Sequence, residues 1–393
     1  MSHPYDPPAE LAGLERRAWL AAAVGLAGAA GGFAVDRHHF FRAYLVAWLW
    51  VLGIALGCFA VALLHQLTRG AWGLMLRRSF GAATRTLPWL ALLFVPVVLG
   101  LSDLYVWARP EAVAADPALQ HKTWFLNRNG FILRAILYFA IWCAPMWLLN
   151  RLSLKQDARA SDRTFRAMQK IAAPALGLYC LTATLAAIDW LMSLDPHWYS
   201  SMYGLSFIGG HAVSAMAFGI VVAVYLAGRE PMRELLQPRH FHDYGKLLLA
   251  FVMLWAYFQV SQLIIVWSGN LPEEVPYYLA RTADGWRWLS LLLAVGHFGL
   301  PFLLLLSQDL KRDARRLVWV ALLLLAMRWI DLYWQAAPAL AHGEPASPLP
   351  NWIDFSALLG VGGLWLALFL RQLARRPLLP SFEPYLKEAL AHD

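Results

Sequence analysis

The sequence is poor in charge and in cysteine. Asp, Glu, Lys and Arg make up only 15% of its 393 residues, whereas soluble globular domains carry roughly a quarter. That argues against a soluble enzyme. The three cysteines, Cys58, Cys143 and Cys180, stand far apart in apolar surroundings, with no CxxC, CxxCH or four-cysteine grouping. The usual iron–sulfur, c-type haem and cysteine–zinc motifs are therefore missing, and the three read as small buried hydrophobes. No His/Asp/Glu spacing suits zinc. A membrane haem would need facing imidazoles at similar depth, and the deep histidines, His65, His211 and His297, fall at different estimated depths. The start of the chain also lacks the pattern of a cleaved signal: Met1 to Arg17 is polar, with Pro and acidic residues, and no small-residue cleavage site follows.

What the chain has in abundance is apolar and aromatic surface: 60% hydrophobic residues, with 20 Trp, 20 Phe and 14 Tyr. Apolar stretches near the 20 residues that cross a bilayer recur throughout. They predict helices over 18–35, 41–66, 86–107, 131–149, 171–191, 204–227, 246–267, 287–307, 317–336 and 353–371. The expected fold is an all-α polytopic membrane protein, with tails at 1–17 and 372–393 around a membrane domain at 18–371. Ten spans put both termini on one side. Of the 33 Lys and Arg, 24 fall in the tails and loops of that side, 7 on the other, and Arg134 and Arg328 lie within spans. The positive-inside rule then assigns the termini to the cytoplasm. The net charge of +8 reads as topology and contact with anionic lipid, not as a nucleic-acid surface.

Ionisable groups at membrane depth are costly, so each is a functional candidate. Asp189 closes the fifth span, His211 lies two turns into the sixth and His297 near the middle of the eighth. Arg328 and Asp331 share a face of the ninth at i,i+3. That pair reads either as a structural ion pair or as part of a transport route. Lone histidines on apolar helices are commonly packing residues, and His65, near an interface, reads that way. Gln259 and Gln262, in the outer half of the seventh span, are candidates for a polar or quinone site. The outer loops at 104–130, 192–203 and 268–286 are aromatic, Pro-containing and acidic. Asp195, His197, Trp198, Asn270, Glu273 and Glu274 there form a candidate surface for an extracytoplasmic partner, although aromatic-belt turns would have a similar composition.

Two long segments carry a family resemblance: 187–200, AIDWLMSLDPHWYS, and 261–274, SQLIIVWSGNLPEE, followed by Trp286-Arg287-Trp288. Shorter matches are 40–45, FFRAYL; 85–88, RTLP; 296–302, GHFGLPF; and 328–332, RWIDL. From about residue 40 to 370 the chain resembles the NrfD-like family, in particular the ActF-like membrane subunit of bacterial alternative complex III. The resemblance implies two four-helix bundles, helices 2–5 and 6–9, with helices 1 and 10 peripheral; the sequence itself shows no convincing internal repeat. It further implies a scaffold, with a candidate proton path through Asp189, His211, His297, Arg328 and Asp331, inside a quinol-oxidising complex of the inner membrane. The chain would bind no cofactor. Iron–sulfur clusters and haem c would sit on partner subunits, quinol at a sister ActC-like subunit, and a terminal oxidase is a further candidate partner. The nearest alternative is a quinone-binding NrfD-like subunit of another respiratory oxidoreductase. A secondary transporter would show an inverted repeat with broken helices at mid-membrane, neither of which is clear in the sequence.

Overall fold

A computed structural model gives the structure of the chain and describes residues 4–158, 161–340, 347–380, 382 and 386. Among the described residues its apolar runs fold as ten helices long enough to cross a membrane. They are α1 (Leu11–Val35), α2 (Arg37–Thr68), α3 (Arg77–Leu99), α4 (Arg128–Ala158), α5 (Asp162–Leu194), α6 (Tyr203–Ala227), α7 (Pro238–Gly269), α8 (Trp286–Leu306), α9 (Ala314–Leu340) and α10 (Trp352–Leu373). Among the described residues there is no β-strand. The protein is an all-α polytopic membrane protein.

Most helices overrun their predicted bounds because hydropathy marks only the part that meets lipid. At 1.5 Å per residue, the 32 residues of α2 or α7 extend about 48 Å, well beyond a hydrocarbon layer of roughly 30 Å. The third span differs most. It starts at Arg77, nine residues before the prediction, and ends at Leu99 instead of 107. Arg77 and Arg78 fall outside the predicted span, yet both are buried in the first turn. The helix restarts at Leu87 and at Val95, each time with Pro88 or Pro96 at its first turn, where a missing N–H costs nothing. A second irregularity is a π-helical turn, Leu293–Gly299, inside α8. Broken spans thus do occur, although neither is apparent from hydropathy.

Two helices form the interior: 83% of the most apolar stretch of α2 and 78% of that of α6 is buried, against 28% in α1, α4, α7 and α8. Contacts run 2–3, 3–4, 4–5 and 5–2 in the first half, and 6–7, 7–8, 8–9 and 9–6 in the second, with α2 also packing on α6 and α9. Close approach is set by small residues. A Cβ on Gly57 of α2 would run into the His211 carbonyl of α6, so the two central backbones touch there.

The most extensive pairing joins the first helix to the last. The buried face of α1 is Ala18, Ala22, Gly25, Ala29 and Gly32, a small-residue stripe of the kind that lets helices meet in lipid without a hydrophobic driving force. Gly25 lies against the Gly360 backbone and Gly363 against Ala22. α10 continues onto α2 and α3, where Trp365 Nε1 donates to Thr86 Oγ1 at 2.9 Å. Beyond α10, the Leu378 amide donates to the Tyr5 carbonyl at 2.8 Å. The described parts of both tails, around Tyr5 and Leu378, therefore lie on one face, as an even number of spans requires. The cysteines do not share one environment: Cys58 is buried, but Cys143 is only partly covered and Cys180 is exposed on the helix surface. Spacing could not distinguish a side chain facing the interior from one facing lipid.

Candidate polar centres within the membrane domain

The five residues singled out by depth fall into two centres. In the second half of the chain, Arg328 and Asp331 lie one turn apart on α9 and pair directly. Both are buried. Gly210 of α6 gives the guanidinium its room, since any Cβ there would overlap it. Gln259 of α7 donates to Asp331 Oδ1 at 3.5 Å and accepts from Ser206 at 3.2 Å, while Trp255 and Gln335 lie against the same carboxylate. His211 follows Gly210 on α6, and the His297 ring lies against Trp255 beside the same carboxylate. Four of the five predicted residues thus share one neighbourhood, drawn from α6, α7, α8 and α9.

The two histidines are held differently. His211 Nδ1 meets the Tyr179 hydroxyl at 2.9 Å, and its Nε2 is buried with no hydrogen-bond partner. His297 occupies the π-helical turn of α8 with its ring 3.8 Å from that of Trp255, and neither ring nitrogen has a partner. Buried polar atoms are nearly always satisfied by protein or by ordered water. Imidazole nitrogens left open beside a buried ion pair are therefore suited to hydrogen-bond ordered water.

Asp189 belongs elsewhere. Its carboxylate, fully buried, accepts from Arg134 Nε at 3.1 and 2.9 Å, from Arg134 Nη2 at 2.7 Å and from the Tyr138 hydroxyl at 2.7 Å. Arg134 also lies 3.9 Å over the Phe125 ring. The arrangement is a bidentate, charge-assisted clamp between α4 and α5. Sequence reasoning noted Arg134 as a cation within a span but gave it no role; its i,i+4 relation to Tyr138 on one α4 face was the available signal. His65, facing Gly70 O at 3.1 Å and edge-on to Trp72, is a packing residue.

The glutamines also separate. Gln262 bridges the Ser200 hydroxyl and Tyr278 hydroxyl at 3.1 Å each, tying α7 to the loops at its end. Gln259, with Asp331, Trp255, Tyr278 and Trp334, lines a cleft of about 250 Å³. Its rim includes Val260 and Leu263, which are exposed on the helix surface, so the cleft opens toward lipid.

Above it, on the face opposite the termini, Trp198 stacks on Tyr277 at 3.8 Å and 12°, locking the loop after α5 to the short helix Val275–Thr282. Arg281 of that helix is buried and lies 3.5 Å over Tyr277. It donates to the Trp334 and Gln335 carbonyls at 3.2 and 2.6 Å, satisfying backbone acceptors near the end of α9. Burial pushes the Tyr277 phenol up from its ordinary value, against the lowering effect of Arg281. Of the residues proposed for docking, Trp198 is turned inward and Asp195 and Glu274 are half-buried. Asn270, at φ +46° in the left-handed cap of α7, is exposed with His197 and Glu273; His197 pairs with Asp116 at 2.9 Å. Among the described residues, no three His, Cys, Asp or Glu side chains gather as a metal site. No protein-family model matches the chain, and a search of curated proteins returned no match.

Proposed function

We propose that this chain is the ActF-like membrane subunit of a bacterial alternative complex III, lying in the cytoplasmic membrane with both termini in the cytoplasm. It scaffolds a quinol-oxidising assembly whose iron–sulfur clusters, haem c and principal quinol site belong to partner subunits. The polar centre on α9 carries protons. The observation that supports this most is the buried Arg328–Asp331 pair with open imidazole nitrogens of His211 and His297 beside it. Asp331 is the group that changes protonation, Arg328 balances it when ionised, and the two neutral rings relay protons by accepting at one nitrogen as the other releases. Coupling would come through a change in their connectivity when quinol is oxidised nearby. The test uses reconstituted complex carrying Asp331→Asn or His297→Ala. Quinol oxidation should persist while protons moved per electron fall. If oxidation and ratio are both unchanged, the chain is a scaffold and the path lies elsewhere.

The cleft beside Gln259 favours a second reading, a quinone-binding subunit of another respiratory oxidoreductase. It is apolar, opens sideways toward lipid and ends on an amide and a carboxylate, the lining expected for a quinone ring with a hydrophobic tail. Quinone that co-purifies with the chain and is lost in Gln259→Leu would support this reading over the first. Companion subunits identified from native membranes separate the two complexes.

A further inference from the structure

We propose that the arginine-lined pocket between α2, α3 and α4, on the face that carries both tails, binds a phosphoryl group presented by an anionic phospholipid. The pocket measures about 60 Å³, room for a group of a few heavy atoms. Arg77, Arg78 and Arg85 converge on it from α3, with Gln66, Asn150 and Ser153 as further polar walls. Arg77 and Arg78 are only 8% and 5% exposed, so these are enclosed groups and not a solvated basic loop.

The acceptors offered to two of the neighbouring guanidiniums are neutral. Arg85 donates to Gln372 Oε1 at 3.1 Å, to the Gln372 carbonyl at 2.7 Å and to Asn150 Oδ1 at 3.0 Å. Arg376, from the segment after α10, donates to the same Asn150 oxygen at 2.9 Å. One amide oxygen is thus shared by two cations, and neither donates to a carboxylate among the described residues. Asp157 contributes a carboxylate nearby and pairs with Arg78. Burial and the charge of Arg78 push the Arg376 guanidinium down from its ordinary value, with Asp157 opposing them. The forked donors of arginine match phosphate oxygens bidentately.

A lipid source fits the surroundings. The pocket lies where α2 ends, α3 begins and α4 nears its end, at the depth expected for headgroups. Its apolar walls are Phe59, Met146 and Leu149, and α4 presents exposed Trp147, under the Arg151 guanidinium at 5.2 Å, as an interfacial anchor. A phosphate held by the arginines would let acyl chains descend along this surface.

The test uses the full chain purified in neutral detergent and stripped of lipid. Phosphatidylglycerol, phosphatidylcholine and inorganic phosphate are each titrated and followed by native mass spectrometry and thermal unfolding. Phosphatidylglycerol should bind about tenfold tighter than phosphatidylcholine, and Arg85→Gln or Arg77→Gln should remove most of that preference. Arg316→Gln, an exposed arginine on the same face, should leave it intact. Competition by millimolar inorganic phosphate would keep the phosphoryl site but make a soluble anion a competent occupant. Equal binding of the two lipids by the wild-type chain overturns the proposal, whether or not the variants fold. An equal loss in Arg316→Gln overturns it too, because the preference would then be diffuse surface charge.

Discussion

Replacing Arg134 with Met would leave the Asp189 carboxylate fully enclosed with one remaining side-chain donor, the Tyr138 hydroxyl at 2.7 Å. Three N–H···O contacts are lost, at 2.7, 2.9 and 3.1 Å. Taken singly, hydrogen bonds to charged groups contribute about 1.5–3 kcal/mol each. They share one guanidinium, so simple addition overshoots. Breaking a buried pair by removing one partner costs about 3–5 kcal/mol, and most of that is the stranded charge. Adding Asp189→Asn to Arg134→Met removes the stranded charge and should recover more than half of the loss. Tyr138→Phe alone should cost about 1.5–3 kcal/mol, because its partner is ionised. Thermal unfolding of the purified chain in detergent, followed by tryptophan fluorescence across the wild type, both singles and the double, measures the coupling. A double variant that falls by the sum of the two singles would refute the reasoning, since uncoupled sites add.

Other interactions make separate predictions. Trp198→Ala should cost about 3–5 kcal/mol and expose the 270–285 segment to protease, whereas Trp198→Phe should be milder; unchanged proteolysis would mean that the stack on Tyr277 does not hold these loops together. Gly25→Val places side-chain atoms where the Gly360 backbone lies, so a disulfide engineered between positions 28 and 356 should form in the parent and fail in this variant. Tyr179→Phe removes the hydrogen bond to His211 at 2.9 Å and should lower stability by about 0.5–1.5 kcal/mol, read in the same melts. If the chain sits in the proposed complex, His197→Ala with Glu273→Lys, both exposed, should loosen a partner subunit in co-purification while leaving the yield of inserted chain unchanged.

Ten spans were readable because lipid forces backbone hydrogen bonds inside each segment, and apolar length then reports the helix directly. The same logic misplaced α3. Arg77 and Arg78 look like loop residues in a hydropathy profile, but they are buried against other side chains and the helix begins with them. Arg328 and Asp331 could be paired from sequence because three residues on one helix fix their geometry. Arg134 and Asp189 could not, since 55 residues and a change of helix separate them and no local rule says which partner α5 will face. Residue type located the aromatic loop around Trp198 correctly. Its inward orientation depends on Tyr277, which comes from a short helix nearly 80 residues later. Nor could spacing reveal that Cys180 faces outward while Cys58 is enclosed.

The long pairing of α1 with α10 has a consequence for biosynthesis. Gly25 finds its neighbour at Gly360, so α1 must wait for α10 before this face is covered. At roughly 5–20 residues per second, the intervening chain takes roughly 20–70 s to emerge from the ribosome. Throughout that time a stripe of alanines and glycines on α1 faces lipid or whatever else will hold it. The zipping of α1 onto α10 is then a late step of assembly, and a truncation just before α10 should strand α1 after the intervening helices have been inserted.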